Sequence, residues 1–567
     1  MKKNIQLMCK GKWLIWFNKL PIMVFILLII GLSGCVQPPK SDSLSFLKVK
    51  GQDMVDETGK KVVLHSVGLG NWLLPEGYMW KFGENGDRPR KIEKVVTDLI
   101  GEEQAALFWK EFRNNYITEA DIVRMKEVGF NSVRVALNAR VFLTEDENPQ
   151  FIEEGFKHLD DLIIWCKAHK IYVIIDMHGA PGGQTGANID DSPNDLPELF
   201  MDKKNEEALL KLWMEIVNKY KDESTVAAYD LLNEPLPEGT GAAAKYKHQL
   251  EPLYRRLTQE IRKVDTRHMI TLEGYNWSNN WDAFSKPFDN NTFYQFHYYC
   301  WNKPDNLNDI SYFLKWRDTL NTPIWVGETG EKANAIYWET SQYFAANNIG
   351  WSFWPWKKMD TKNTPYSIIK PNNWDLVVNY SKGGEKPDSA TSQVILNEFL
   401  INIKLANCEY YTDVVNAIFR RIPGKVEAEN YGHGGYGMDF FVSDSAKKSS
   451  FYRTKEPVVI ELIRFDSAVD FSKHNSEQCI VLKPDEWTRY SFNSANKADY
   501  KIKIKATSSA VPAKFQIECN GFKKEFELQS SQWDTLSVEG INMEAGVNNL
   551  LLKVVESKVN IDWFVIE

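Results

Sequence analysis

An α/β fold, a (β/α)8 TIM barrel followed by a C-terminal β-sandwich, is the architecture this sequence predicts, and three observations carry the prediction. Between residues 46 and 421, short β-branched or aromatic runs alternate with longer stretches whose apolar residues recur every three or four positions, the pattern of parallel β/α units. After Pro423-Gly424 the pattern changes to short alternating runs with polar turns, which reads as a sandwich of about 140 residues. A chain of 567 residues, 43% hydrophobic and 25% charged, is long enough for a full barrel and a second module.

In chain order, residues 1–35 hold Lys2, Lys3, Lys10, Lys12 and Lys19 with no acid, then an apolar run over 21–30 and the tetrapeptide Leu32-Ser33-Gly34-Cys35. A basic start and a short apolar run read as an export signal; a membrane helix needs roughly 20 apolar residues. Small residues directly before a Cys resemble the bacterial lipoprotein box, which implies Cys35 as the lipidated first residue of an exported protein anchored to a membrane. Residues 36–45 then form a polar tether. Taking the five signal Lys from the 68 basic residues leaves 63 against 76 acidic ones, a balance that argues against a nucleic-acid partner. Cys166, Cys300, Cys408, Cys479 and Cys519 lack CxxC spacing, so buried thiols, or at most an isolated bridge, are expected in place of a Cys metal site.

The barrel, residues 46–422, contains eight strand-like runs: 63–70, 132–137, 172–178, 228–233, 269–273, 293–299, 324–328 and 351–354. Helical patterns over 119–128, 156–168, 205–220, 246–264 and 337–347 separate them, and one over 391–405 closes the domain. The active site of such a barrel lies at the C-terminal ends of its strands. Those ends carry Arg134, His178, Asn233 with Glu234, His297 with Tyr299, Glu328 and Trp354. Asn233-Glu234 stands where Pro235 forbids further ladder bonding, an arrangement that alone is also a polar turn after a buried strand. Glu328, ending Ile-Trp-Val-Gly-Glu, gives it a partner.

Two carboxyl groups roughly 5 to 5.5 Å apart suit glycoside hydrolysis with retention: one attacks the anomeric carbon while the other protonates the leaving oxygen. The nucleophile must be ionised and the acid protonated. Arg134 and the Tyr299 hydroxyl are placed to hold Glu328 as the carboxylate, leaving Glu234 as acid/base. Asn233 can bond a neighbouring sugar hydroxyl, and Trp354 can stack on the sugar ring; a chain with 20 Trp has rings to spare for sugar faces.

Ser-Val-Arg134, Asp-Met-His178, Asn233-Glu234-Pro, His297-Tyr-Tyr299, Gly-Glu328 and Phe-Trp354 together resemble glycoside hydrolase family 5 across about 375 residues. The resemblance implies Glu234 as acid/base, Glu328 as nucleophile and no cofactor for catalysis. Gly68-Leu-Gly70-Asn-Trp72, His178-Gly-Ala-Pro-Gly182 and Trp354-Pro-Trp356-Lys357 are similar to its exo-acting β-1,3-glucanase branch, from which the 183–200 loop departs. Asp190 and Asp191 in that stretch read as a solvated acidic loop in preference to a metal site, and Asp160, Asp161 and His65 have no assigned role.

The second domain, 423–567, has strand-like runs at 458–462, 500–506, 514–519, 550–555 and 562–566. Val426-Glu427-Ala-Glu429-Asn430-Tyr431, Gly434-Gly-Tyr-Gly437, Glu486-Trp487, Gln532-Trp533 and Asn560-Ile-Asp562-Trp563 resemble carbohydrate-binding module family 6 or its relative family 35. That likeness implies a structural calcium on Glu427, Glu429 and Asp562, oxygen ligands suiting calcium, and a sugar site made by Tyr452, Trp533 and Asn560. Trp487 and Trp563 are expected in the core. The whole reads as an exported, lipid-anchored retaining β-glycosidase acting on β-glucan, with β-1,3 links favoured and endo-acting β-1,4-glucanase or β-mannanase activity open. The rival of another class is a surface glycan-binding protein with a silent barrel, against which both acids, Arg134, His297 and Tyr299 count.

Overall fold

The computed structural model describes residues 43–301, 306–449, 451–468, 470 and 473–567. The expected signal peptide, Cys35 and residues 36–42 of the tether lie outside the described residues. Eight parallel strands, β1 (His65–Gly68), β2 (Ser132–Asn138), β3 (Tyr172–Gly179), β4 (Val226–Asp230), β5 (Met269–Glu273), β6 (Thr292–Tyr298), β7 (Ile324–Gly330) and β8 (Gly350–Trp354), close in sequence order into a barrel. From β2 to β8 every strand residue is buried, because side chains fill the barrel inside while helices cover it outside. Each expected run contains a strand, with one informative difference in length. The fourth strand stops at Asp230, and residues 231–233 run on without ladder pairing while the Asn233 amide donates to the Met177 carbonyl (3.1 Å).

Two helices that periodicity alone did not single out, α1 (Pro89–Ile100) and α2 (Glu102–Tyr116), precede α3 (Glu119–Val128). Pro89 sits at the first helical position, where no N–H is needed, and Gly101 at φ +81° breaks α1 from α2. Their buried faces pack Phe108, Trp109 and Phe112 around Trp80, which also meets Phe399 (ring centroids 4.7 Å apart) and Trp374 (6.1 Å). Much of the tryptophan surplus is therefore core: Trp72, Trp80, Trp213, Trp281, Trp325, Trp356 and Trp374 are fully buried.

The longer barrel helices that follow include α4 (Glu153–Ala168), α5 (Lys203–Tyr220), α6 (Leu250–Arg262), α7 (Ser311–Leu320), α8 (Asn334–Ala346), α9 (Ser389–Asn402) and α10 (Thr412–Phe419). The helix expected over 246–264 divides at a 3-10 turn, Lys247–Gln249. Pro252 explains the break: without an N–H it fits the first turn of α6 and not a helix interior. Asp202 and Asp388 cap α5 and α9 by accepting from the amides of Lys204 and Thr391.

Among the described residues the sandwich comprises β9 (Arg421–Ile422), β10 (Gly424–Glu427), β11 (Phe440–Phe441), β12 (Val459–Phe465), β13 (Ser476–Leu482), β14 (Trp487–Ser494), β15 (Ala498–Thr507), β16 (Ala513–Cys519), β17 (Phe522–Leu528), β18 (Asp534–Met543), β19 (Gly546–Glu556) and β20 (Val559–Ile566). One sheet runs β9-β14-β19-β16-β17 with β11 on β14, the other β12-β13-β20-β15-β18 with β10 on β20. Arg421–Ile422 already pairs with β14, so the sandwich begins just before Pro423. Its core, with Tyr431, Tyr452, Tyr490 and Phe564, also contains Trp338 from barrel helix α8.

A barrel side chain inside the sandwich core couples the two units. Removing a buried Trp costs about 3–5 kcal/mol. We expect the described unit to melt in one calorimetric transition and Trp338→Ala to lower or split it; an unchanged single transition would contradict the coupling.

Candidate active site

The strand ends converge on Arg134, whose guanidinium is fully buried. Nε donates to Asp230 Oδ2 (2.9 Å), Nη1 to Glu328 Oε1 (2.7 Å), and Nη2 to Asn233 Oδ1 (2.8 Å) and Glu273 Oε1 (3.0 Å). Asp176 lies 3.2 Å from Nη2. Burial disfavours the cation, but these carboxylates outweigh it and hold Arg134 well above its ordinary pKa. Burial pushes Asp176 and Asp230 well above the carboxylate range despite Arg134.

Glu328, ending β7's apolar run, is held from two sides: Arg134 on Oε1 and the Tyr299 hydroxyl, donating to Oε2 (2.9 Å). The preceding Gly327 is required, since a Cβ there would collide with the Gln295 side chain and crowd His297. Glu234 has φ +43°, a left-handed conformation uncommon outside glycine, and its amide donates to Glu273 Oε2 (2.7 Å). His297 bridges the acids, with Nδ1 2.6 Å from Glu234 Oε1 and 3.5 Å from Glu328 Oε2, and Nε2 3.4 Å from Glu273. Burial works against an imidazolium there, yet Glu273, Glu328 and Glu234 outweigh it and raise the His297 pKa well above its usual value.

Glu234, His297 and Glu328 present oxygen and nitrogen atoms within 4.8 Å of one another, the one such cluster of His, Cys, Asp and Glu among the described residues. A metal would need His297 neutral, and the carboxylates favour its protonated form. The cluster is therefore better suited to proton transfer between two facing acids.

His178 and Trp354 complete the near wall. Asn233 Nδ2 donates to His178 Nε2 (3.3 Å), which leaves the ring proton on Nδ1, facing Asp176 Oδ2 at 2.7 Å. Burial lowers the His178 pKa to about 4, so the ring is neutral. It stacks on Trp354 (5.3 Å, 2°), whose indole lies over Gly68 and Gly70, positions where any Cβ would strike the ring.

The cleft, about 490 Å³, also contains residues that sequence reasoning did not single out. Glu76 and Tyr78 come from the β1 loop; Glu331 follows β7 and pairs with Lys358 (2.6 Å); Trp277 and Trp301 line the cleft. Glu76 is buried with Oε1 lacking a hydrogen-bond partner, and burial, followed by the charges of Glu328, Glu331 and Glu234, raises its pKa well above the ordinary range. Glu273 was also missed, although its place at the end of the fifth run was the available signal. Asp190 and Asp191 correct the expectation of a solvated loop. Both are buried: Asp190 accepts from the Thr185 and Ser192 amides (2.8 and 2.9 Å), and Asp191 from Asn138 (3.0 Å), Arg140 (2.6 Å) and the Arg90 amide (2.9 Å).

In the sandwich the expected sugar site is not assembled. Tyr452 is fully buried and donates to Asn430 Oδ1 (2.7 Å), so its ring face is spent on the core. Trp533, half-buried beneath Lys505, and Asn560 flank β15, whose Ala506 and Thr507 pair with Asp534 and Asn560. Trp487 and Trp563, expected in the core, are half-buried and carry Arg489 and Lys425 over their rings. Glu427 and Asp562 engage Lys425 and Lys505 (2.7 Å each). Glu429 is buried with Oε2 lacking a hydrogen-bond partner; burial, with Glu427 adding to it, pushes its pKa up to about 7.

Residues 94–360 match the Cellulase model, glycosyl hydrolase family 5. A beta-xylosidase of Phanerodontia chrysosporium is 27% identical over 368 residues, 58% of this chain and 75% of that protein. A probable glucan 1,3-beta-glucosidase A of Emericella nidulans is 30% identical over 226 residues, 39% of this chain and 54% of that protein, so the chain spans only about half the length of this second relative. Among solved structures, rutinosidase from Aspergillus niger aligns over 53% of this chain and 91% of its own with 17% identity and a TM-score of 0.44. The matched segment, just under half of the chain, carries β2 to β8 and both facing acids, so in this stretch the barrel is similar to the glycosyl hydrolase family 5 domains.

Proposed function

We propose that the barrel releases glucose from β-glucans, with β-1,3 links favoured, by double displacement. The observation that carries this reading is the held pair: Glu328, fixed by Arg134 and Tyr299, faces Glu234 with their nearest oxygens within 4.8 Å. That spacing suits attack by one acid and protonation by the other; inversion needs room for an intervening water, with the carboxyl groups roughly 6.5–9.5 Å apart.

Glu328 is the nucleophile because its two oxygens already accept from a guanidinium and a phenol, which favour its anionic form. Glu234 is the acid/base, bonded to His297, whose other nitrogen faces Glu273. Arg134 and His297 lie against Glu273 and Glu328, so cationic and anionic groups alternate around the Glu234 carboxyl. Once Glu328 is esterified, Glu234 can take a proton from the incoming water.

Action at a chain end is supported by Glu76, a buried carboxyl with an unused oxygen in the cleft, beside Tyr78 and the Glu331–Lys358 pair. Polar groups in this arrangement can bind the outer hydroxyls of a terminal sugar. The glucan 1,3-beta-glucosidase relative supports the β-1,3 preference, and the beta-xylosidase relative makes a terminal xyloside the second substrate to test. Export and lipid anchoring through Cys35 belong to this reading, on the strength of the N-terminal sequence. A glycan-binding role for the sandwich rests on its sequence likeness and on Trp533 and Asn560, without Tyr452.

Incubation with laminarin, lichenan, cellulose, mannan and aryl β-glucoside and β-xyloside should release sugar, fastest from laminarin. Glu234→Ala and Glu328→Ala should each lower kcat on laminarin by about 10³-fold or more without unfolding. Binding without release would instead support the silent-barrel rival.

In the sandwich, calcium would be held by Glu427, Glu429 and Asp562; the unbonded oxygen of Glu429 and its repulsion by Glu427 fit a cation. Without metal, a carboxyl raised from 4.5 to about 7 on folding keeps more protons in the native state. Stability from this group is then full below pH 4.5 and falls as pH rises to about 7. Melting curves with chelator should show that fall, with calcium and Glu429→Gln each removing it; no calcium-dependent change at pH 7 would contradict the site.

A further inference from the structure

We propose that the sandwich is a positioning element for the catalytic cleft: its 451–456 loop, clamped to barrel helix α8, holds the 306–309 stretch that fixes Tyr299 on Glu328. This rests on the reading of Glu328 as nucleophile.

The clamp is Arg453. It is buried, and its fork meets Glu456 (2.8 Å), Glu339 of α8 (3.4 Å), the Gly432 carbonyl (3.0 Å) and the Tyr431 carbonyl, with the Tyr431 ring 3.7 Å away. His433 adds a second contact to Glu339 (2.8 Å), and Asn430 donates to the Ala335 carbonyl (3.1 Å). These groups tie the loop to the start and middle of α8.

From this base the loop reaches the stretch after β6. Asn306 Nδ2 donates to the Phe451 carbonyl (3.1 Å), the Arg453 amide faces Asn306 Oδ1 (3.5 Å), and Lys455 pairs with Asp309 (2.5 Å). The ion pair is exposed and contributes little, so the weight falls on Asn306. Asn306 Oδ1 also accepts from the Leu307 amide (2.8 Å). Asn308 then donates to the Tyr299 carbonyl (2.9 Å) and accepts from the Tyr298 hydroxyl (2.8 Å). Tyr299 donates to Glu328, and Tyr299, Trp301 and Asn308 all line the cleft. One continuous set of contacts thus runs from the sandwich to an oxygen of the nucleophile, with Asn306 as a positioning residue that touches no reacting atom.

The test is a double-mutant cycle in the full chain, read as kcat and KM on an aryl β-glucoside together with melting temperature. Asn306→Ala should lower kcat about tenfold, with KM within about twofold and the melting temperature within about 2 °C. In a Tyr299→Phe background the same substitution should change kcat less than about twofold, because the group it positions is gone. Arg453→Lys, which keeps charge and loses the fork, should lower kcat from the sandwich side. Wild-type kcat in Asn306→Ala, or an undiminished effect in the Tyr299→Phe background, would overturn the proposal. Full turnover in Glu328→Ala would instead bring down the reading of the site; an inactive Glu328→Ala beside an unaffected Asn306→Ala would remove the positioning role alone.

Discussion

A guanidinium buried without water must have its donors satisfied and its charge balanced by the protein, and Arg134 imposes this requirement on four other strands. Asp176 of β3, Asp230 of β4, Glu273 of β5 and Glu328 of β7 all turn toward it, and Asn233 accepts from it beyond β4. Both acids depend on this one group. Glu328 is bonded to it directly, and Glu234 is placed through Glu273, which accepts from Arg134 with one oxygen and from the Glu234 amide with the other. The left-handed backbone at Glu234 is supported by that second bond.

The barrel and the facing acids were legible because both follow from patterns of period and position. Strands buried on both faces read as continuous apolar runs, and the residues that end them are where chemistry gathers. What was not legible depends on long-range packing. Asp190 and Asp191 look like a solvated loop until Arg90, Arg140 and Asn138 arrive from distant segments to bury them. Glu273 looks like any strand end until Arg134 and His297 meet it. Tyr452 carries no local sign that its ring is enclosed in the sandwich core and its hydroxyl is taken by Asn430.

The sandwich is therefore more than a module on a linker. It shares Trp338 with the barrel and meets the cleft loop at Asn306, so mechanical coupling between the units accompanies any binding by the β-sheets. The same packing accounts for the fate of Tyr452: the segment that likeness assigned to sugar is the segment clamped beneath α8.

In the proposed double displacement Glu328 attacks the anomeric carbon. Trapping with a 2-deoxy-2-fluoro-β-glucoside bearing a good leaving group, followed by peptide mapping by mass spectrometry, tests that attack. One sugar is expected on the peptide containing Glu328, lost on turnover with water or an acceptor sugar. A label on Glu234, or inactivation by no covalent adduct while the natural glucan is cleaved with inversion, would contradict it.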